Sequence, residues 1–146
     1  MPAQPRLLFV NLPVRDVSTS MAFFRALGFD FDAKFTTDEC ACMRISDQAY
    51  VMLLHESRFG DFSPHPITDA RTVTEVLLCV SADSREAVDA LADAALTHGG
   101  SPASEPQDHG FMYGRSFADP DGHVWEVMWM SPEAVEAGPS EMAQTA

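Results

Sequence analysis

The stretch Phe117-Ala118-Asp119-Pro120-Asp121-Gly122-His123-Val124-Trp125-Glu126 leads from a turn into an apolar strand that contains a carboxylate. Its first half fits a type I turn, since Asp favours the first position, Pro fixes φ at the second and Gly accepts a left-handed exit. A strand is predicted over residues 123–130. Side chains alternate between the faces of a strand, so both faces here are apolar except at Glu126. An unpaired buried carboxylate is costly, and Glu126 is therefore expected to have a partner or to line a cavity.

The composition of the 146-residue chain indicates a folded protein with a substantial core, because 46% of its residues are hydrophobic. The formal net charge of -13 argues against binding to nucleic acid or to an anionic membrane surface. A neutral or weakly charged small molecule is the better candidate ligand. No apolar run approaches the roughly 20 residues that span a bilayer, and the N-terminus has no signal-peptide pattern. The sequence therefore predicts a cytoplasmic protein.

The order of predicted elements repeats along the chain. In the first half we predict strands at 6–12, 31–36, 40–46 and 49–55 and a helix at 19–27. In the second half we predict strands at 73–80, 102–105, 111–118 and 123–130 and a helix at 85–97. The junctions between the first strand and the helix, residues 14–18 and 80–84, are in register. We therefore interpret the chain as two βαβββ modules.

These modules predict one α+β domain over residues 1–146. Module one covers about 6–56, a linker 57–71, module two about 72–130, and a flexible tail 131–146. The linker contains Phe59 and Phe62, which either pack on the core or form a lid or a dimer contact. Because these rings and the strand edges need cover, we expect a homodimer.

This arrangement resembles the vicinal-oxygen-chelate superfamily, which includes glyoxalases, bleomycin-resistance proteins and extradiol dioxygenases. The resemblance is carried by residues 10–16, by Ser20, Phe23 and Phe24, by Leu27-Gly28-Phe29, and by the stretch from Phe117 to Glu126. It covers nearly the whole chain, from about residue 6 to residue 130. It implies that two curled mixed sheets meet as an open cup, with the ligand inside and the helices outside.

The resemblance also implies where a divalent metal would bind, because metal-dependent members hold it on up to four inward side chains. The corresponding positions in this chain are Phe9, Met52, Glu75 and Glu126. Phe and Met side chains cannot coordinate a hard cation, whereas two carboxylates hold Mg²⁺ or Mn²⁺ weakly. No cofactor is assigned on this basis, and a divalent metal on Glu75 and Glu126 stays open.

Several further residues are candidate ligand contacts. The full set of candidate ligand contacts is Phe9, Asn11, Met52, His109, Tyr113, Arg115 and Met128. By the resemblance Asn11 and Met128 face the interior of the cup, where a buried amide needs partners. His109 is either a base or anion contact at the rim, or an ordinary loop histidine. Tyr113 and Arg115 flank Gly114, which permits close approach of a ligand, and cross-strand packing is the alternative.

Three functions remain open. A glyoxalase-like lyase, of the lactoylglutathione lyase type, would use Glu126 or Glu75 as the catalytic base beside a metal. A metal-free protein similar to the bleomycin-resistance members would bind an apolar, aromatic or cationic molecule in the cup. A dimeric module with a vestigial cup would pair these glutamates with arginines such as Arg44 or Arg115. We favour binding of a small organic molecule in the cup, with glutamate-based proton transfer as an additional hypothesis.

Overall fold

The part of the chain that this computed structural model describes, residues 4–138, contains two mixed β-sheets. The chain divides into two units, Met1–Asp69 and Ala70–Ala146, and each unit contains one of the sheets. The predicted α+β class is confirmed. Within the described residues no helix is long and apolar enough to cross a bilayer.

The first unit has a four-stranded sheet with the order β1-β4-β3-β2. Strand β1 runs parallel to β4, and the other neighbours are antiparallel. Helix α1 packs against β3 and β4. The elements are β1 (Leu8–Val14), α1 (Val17–Ala26), β2 (Asp30–Phe31), β3 (Cys40–Arg44), β4 (Ala49–His55) and α2 (Glu56–Phe62).

The second unit repeats this pattern and adds one short strand. Its sheet has the order β5-β9-β8-β6, with β5 parallel to β9 and with β7 also paired to β8. The elements are β5 (Leu77–Ser81), α3 (Arg85–Thr97), β6 (Ser101–Pro102), β7 (Gln107–Asp108), β8 (Met112–Ala118), β9 (Val124–Met130) and α4 (Pro132–Ala137). Val127 of β9 packs with Val88 and Ala92 of α3, so one face of the sheet is covered by that helix.

The turn before β9 has the left-handed glycine that the sequence predicts and a hydrogen bond that closes it. The Gly122 N–H donates to the Asp119 carbonyl at 2.9 Å, and Gly122 has a φ of 92°. A Cβ at this glycine would lie 2.6 Å from Cγ of Arg71, so the turn also needs glycine for space. The Asp119 side chain is only 4% exposed and accepts hydrogen bonds from the backbone N–H groups of Asp121 and His123. Burial raises the pKa of this carboxyl. The charge of His123 opposes that rise, and so do the hydrogen bonds that Asp119 accepts from Trp125, Asp121 and His123.

Side-chain caps set several boundaries that differ from the predictions. Helix α1 begins at Val17 because the Asp16 side chain accepts from the Thr19 N–H at 3.0 Å. Strand β2 ends at Phe31 and does not continue to residue 36, because the Asp32 side chain accepts from Lys34 and starts a 3₁₀ helix at Ala33–Phe35. The strand predicted at 6–12 lies at 8–14, and that predicted at 40–46 ends at Arg44.

The predicted linker and tail both contain helical turns. In the linker, His55 caps α2 by accepting from the Ser57 N–H, and the Phe62 ring is 65% exposed beside Arg58. In the tail, the Ser131 side chain accepts from the Ala134 N–H and Pro132 fills the first position of α4. Residues 139–146 of the predicted tail lie outside the described residues.

The first strand of the second module is shorter than predicted. Strand β5 begins at Leu77, which pairs with Val124, and not at residue 73. Because β9 itself begins at Val124, after the turn, the residues before Leu77 have no strand to pair with. Glu75 therefore lies outside the sheet, in an exposed segment before β5.

Candidate functional site

Glu126 lies near the middle of β9, the strand between β5 and β8 in the second sheet. Its neighbours across the strands are Cys79 of β5 and Ser116 of β8. Since side chains alternate along β9, Glu126 and Met128 share the face opposite to Val127 and α3. We call this surface the Glu126 face.

A pocket of about 140 Å³ lies on the Glu126 face. Gly114 contributes to its floor, where a Cβ would meet Val127 O at 3.5 Å and Met128 Cβ at 3.7 Å. These are ordinary contact distances, so a small side chain would fit at Gly114 but would occupy the pocket. The described residues that line it are Cys79, Ser104, Glu105, Gln107, Met112, Gly114, Arg115, Ser116, Glu126, Val127 and Met128.

Glu126 supplies the pocket with a half-buried carboxylate. Within residues 4–138 this carboxylate makes no hydrogen bond or ion pair. Burial, and secondly the charge of Glu126, raises the pKa of the Cys79 thiol above its ordinary 9.0, so Cys79 remains a neutral thiol at physiological pH. The Ser116 hydroxyl accepts from the Ser104 N–H at 2.8 Å. Of Cys79, Glu126 and Ser116, which lie side by side across the three strands, Glu126 is thus the one whose side chain makes no hydrogen bond within residues 4–138.

Tyr113 and Arg115, both predicted ligand contacts, are bonded to helix α3. The Tyr113 hydroxyl donates to Asp89 at 2.6 Å, and Arg115 donates to Asp89 at 3.0 Å and to Asp93 at 2.8 Å. The hydrogen bond to Asp89 raises the pKa of Tyr113, and the same bond is the main cause that lowers the pKa of Asp89. The structure thus supports a packing role, with the helix as partner in place of the neighbouring strand. Sequence reasoning missed Asp89 and Asp93, although their spacing of four puts both on one face of a helix.

His109 lies in the exposed loop before β8, and it is not among the described residues that line the pocket. The backbone N–H of His109 donates to the Met112 carbonyl at 2.8 Å. The centroids of the His109 and Phe111 rings are 6.2 Å apart. Arg85 of α3 holds the loop by an ion pair with Asp108 and also lies over the Tyr113 ring at 4.6 Å. Sequence reasoning missed this role of Arg85.

The other predicted site residues are not among the described residues that line the pocket. The strand partner of Glu126 is Cys79, so the register does not bring Glu75 opposite Glu126. Phe9 is 49% exposed and stacks on Tyr50, with ring centroids 5.2 Å apart. Asn11 pairs with Met52 across β1 and β4, and it is exposed, not buried as predicted. Its amide therefore needs no protein partner.

The residues at the four implied metal positions do not fit a divalent-metal site. Phe9 and Met52 offer no oxygen or imidazole donor, and Glu75 lies outside the strand that would position it. Within residues 4–138 no three His, Cys, Asp or Glu side chains form a group that could hold a metal ion. We therefore derive no chemical step through a metal.

Comparisons with known proteins agree with this architecture. A model of the Glyoxalase/Bleomycin resistance protein/Dioxygenase superfamily matches residues 6–127. No match was found among curated proteins. Among solved structures, a hypothetical protein from S. aureus is 27% identical with a TM-score of 0.73, and the match covers 83% of this chain and 91% of that chain.

Two further solved structures are similar in fold. A glyoxalase/bleomycin resistance protein/dioxygenase family enzyme from Burkholderia phytofirmans is 19% identical, with a TM-score of 0.69 and coverage of 84% of this chain and 96% of that one. A lactoylglutathione lyase from Agrobacterium tumefaciens is also 19% identical, with a TM-score of 0.60 and coverage of 88% and 96%. At this identity the likeness supports the fold and not a shared reaction.

Proposed function

Because the chain belongs to the Glyoxalase/Bleomycin resistance protein/Dioxygenase superfamily, we propose that it binds a small organic molecule on the Glu126 face, with the Glu126 carboxylate as the polar contact. The observation that carries this proposal is the half-buried Glu126 carboxylate, which borders a pocket of about 140 Å³ and makes no hydrogen bond within residues 4–138. Small-molecule sites commonly combine an apolar lining with a few polar groups that fix orientation.

The lining of the pocket suits an organic guest. Met112 and Met128 present flexible, polarizable side chains that adapt to irregular apolar shapes. Gly114 keeps the floor between them open. A guest with an apolar body and one polar group would thus contact sulfur and methylene groups while its polar group meets Glu126.

Proton transfer by Glu126 is a second candidate function. It is favoured by the same observation, since a carboxylate without a hydrogen bond in the described residues is able to accept a proton from a bound substrate. Such a reaction also needs donors for the negative charge that develops on the substrate. Ser116 is bonded to Ser104, and Arg115 is paired with Asp89 and Asp93. Binding without chemistry is therefore the better supported function.

Methionine-methyl NMR tests the proposed binding. The protein is labelled at its Met methyl groups and titrated with a panel of neutral, cationic and anionic organic fragments. We expect at least one fragment to shift the Met112 and Met128 signals, while the signal of Met43, a fully buried residue of the first unit, stays in place. Gly114→Leu should remove these shifts by filling the pocket, and Gly114→Ala should retain most of them. A panel that moves neither Met112 nor Met128 would overturn the proposal.

A further inference from the structure

We infer that the molecule bound on the Glu126 face is an organic cation, such as an ammonium group attached to an apolar body. This inference deepens the proposed function and rests on it. It goes further because a carboxylate can contact either a neutral hydrogen-bond donor or a positive charge, and the surroundings of the pocket discriminate between the two.

The charges that line the pocket leave it negative. Among the described residues of the lining, Glu126 and Glu105 are carboxylates and Arg115 is the one cation. The Arg115 guanidinium is already paired with Asp89 at 3.0 Å and Asp93 at 2.8 Å, and its side chain is 18% exposed. An arginine bonded to two carboxylates does not neutralise a third. The pocket therefore has a net negative charge that an anionic guest would oppose and a cationic guest would balance.

The neighbouring polar groups do not relieve this charge. Cys79, directly across from Glu126, remains a neutral thiol. The Ser116 hydroxyl is bonded to the Ser104 backbone, so it does not supply Glu126 with a hydrogen bond. When a guest covers the pocket it removes water from the Glu126 carboxylate, and a positive charge on the guest offsets more of that cost than a neutral hydrogen-bond donor does. A neutral donor would compensate it in part.

The apolar part of the lining also suits a cation with a large, weakly hydrated surface. Met112 and Met128 line the same pocket as Glu126 and have flexible, polarizable side chains. A substituted ammonium group contacts such a surface with its methyl or methylene groups and keeps its charge near the carboxylate. The formal net charge of -13 adds a long-range field that raises the local concentration of any cation.

Two matched pairs of probes test the inference by calorimetry and by the Met128 methyl signal. One pair is choline and its carbon isostere, in which a tert-butyl group replaces the trimethylammonium group. The other pair is benzylammonium and benzyl alcohol. We expect the cation of a pair to bind about tenfold more tightly than its neutral partner. In Glu126→Gln the cation should lose about this tenfold advantage over its neutral partner. Glu136→Gln, on exposed α4, changes the net charge by the same amount and should leave binding unchanged.

The possible outcomes separate the inference from the proposed function. If the neutral member of each pair binds as tightly as the cation, or if Glu126→Gln binds the cations as well as the wild type does, the inference is wrong and the proposed binding stands. If Glu136→Gln weakens binding as much as Glu126→Gln does, the effect is a general attraction to an acidic protein and the inference is also wrong. If neither pair nor any fragment of the panel moves Met112 or Met128, both are wrong.

Discussion

Asp119 connects the turn before β9 to the core of the second unit through three hydrogen bonds. Oδ1 accepts from the backbone N–H groups of Asp121 and His123, both at 3.0 Å, and Oδ2 accepts from the indole N–H of Trp125 at 3.1 Å. Trp125 is 1% exposed and stands on the face of β9 opposite to Glu126. The same turn that reverses the chain thus fixes the first buried side chain of β9.

We predict that Asp119→Asn destabilises the protein by about 1–3 kcal/mol. An amide has one accepting oxygen, so it can serve either the two backbone donors or the indole N–H, and its NH₂ group then faces a donor. Urea unfolding measures the loss. Asp38→Asn, in an exposed turn, makes the same change of charge and should cost far less.

A double-mutant cycle isolates the contact between Asp119 and Trp125. Trp125→Phe removes the indole donor, so adding Asp119→Asn to it should cost less than Asp119→Asn costs alone. Costs that add without coupling would contradict the role we assign to this hydrogen bond.

At the scale of the element, helix α3 is held to β8 by polar contacts as well as by apolar packing. Tyr113 and Arg115 share Asp89, and Arg115 also reaches Asp93 one turn later. A carboxyl whose pKa is lower in the folded protein contributes stability above its unfolded pKa, and that stability is lost as the pH falls through the folded pKa. The pKa of Asp89 is lowered from its ordinary 3.8, first by the Tyr113 hydroxyl and then by Arg115.

We predict that Asp89→Asn lowers the melting temperature at neutral pH and that the difference from the wild type shrinks as the pH falls below 3.8. The side chain is 49% exposed, so solvent screening keeps the effect at roughly 1 kcal/mol or less. Thermal melts over a series of pH values measure it. Asp38→Asn provides the control for charge, and a constant difference for Asp89→Asn at every pH would contradict the prediction.

Two elements with local signals were predicted from the sequence to the residue, whereas α1, also capped locally, begins two residues before its predicted start. Helix α3 begins after its cap Ser84, and β4 covers the predicted residues 49–55. Strand β5 was misplaced because its start depends on where β9 begins, which is a contact between distant parts of the chain. Helices α2 and α4 were missed because each is only one or two turns long and depends on a single capping side chain.

The sequence likewise indicated part of the candidate site and left the rest undetermined. A charge at Glu126 in an apolar strand already indicated a cavity or a partner, and the pocket lies beside it. The roles of Tyr113 and Arg115 were not decidable, because their partners Asp89 and Asp93 lie more than 20 residues away on a helix whose orientation the sequence does not specify. Cys79 was assigned no role in the site because its place beside Glu126 follows only from the register of β5 on β9.

For the whole molecule, the balance of charge sets how stability should respond to salt. The chain has 22 acidic and 9 basic residues, so its carboxylates clearly outnumber the cations that could pair with them. The ion pairs of Arg44 with Asp47 and of Arg58 with Asp61 are exposed, and such pairs contribute about 0–1 kcal/mol each. Repulsion among the remaining carboxylates opposes the compact state, and salt screens it over a distance of roughly 8–10 Å at physiological strength.

We predict that sodium chloride raises the melting temperature, because with 22 acidic and 9 basic residues screening removes more repulsion between like charges than attraction between opposite charges. Differential scanning fluorimetry across a chloride series at fixed pH measures this response. A variant that carries both Asp38→Asn and Glu136→Gln, two exposed sites, has a formal net charge smaller by two units and should show a shallower rise. A melting temperature that falls with added salt would mean that ion pairs such as those of Arg115 and Arg85 outweigh the excess of negative charge.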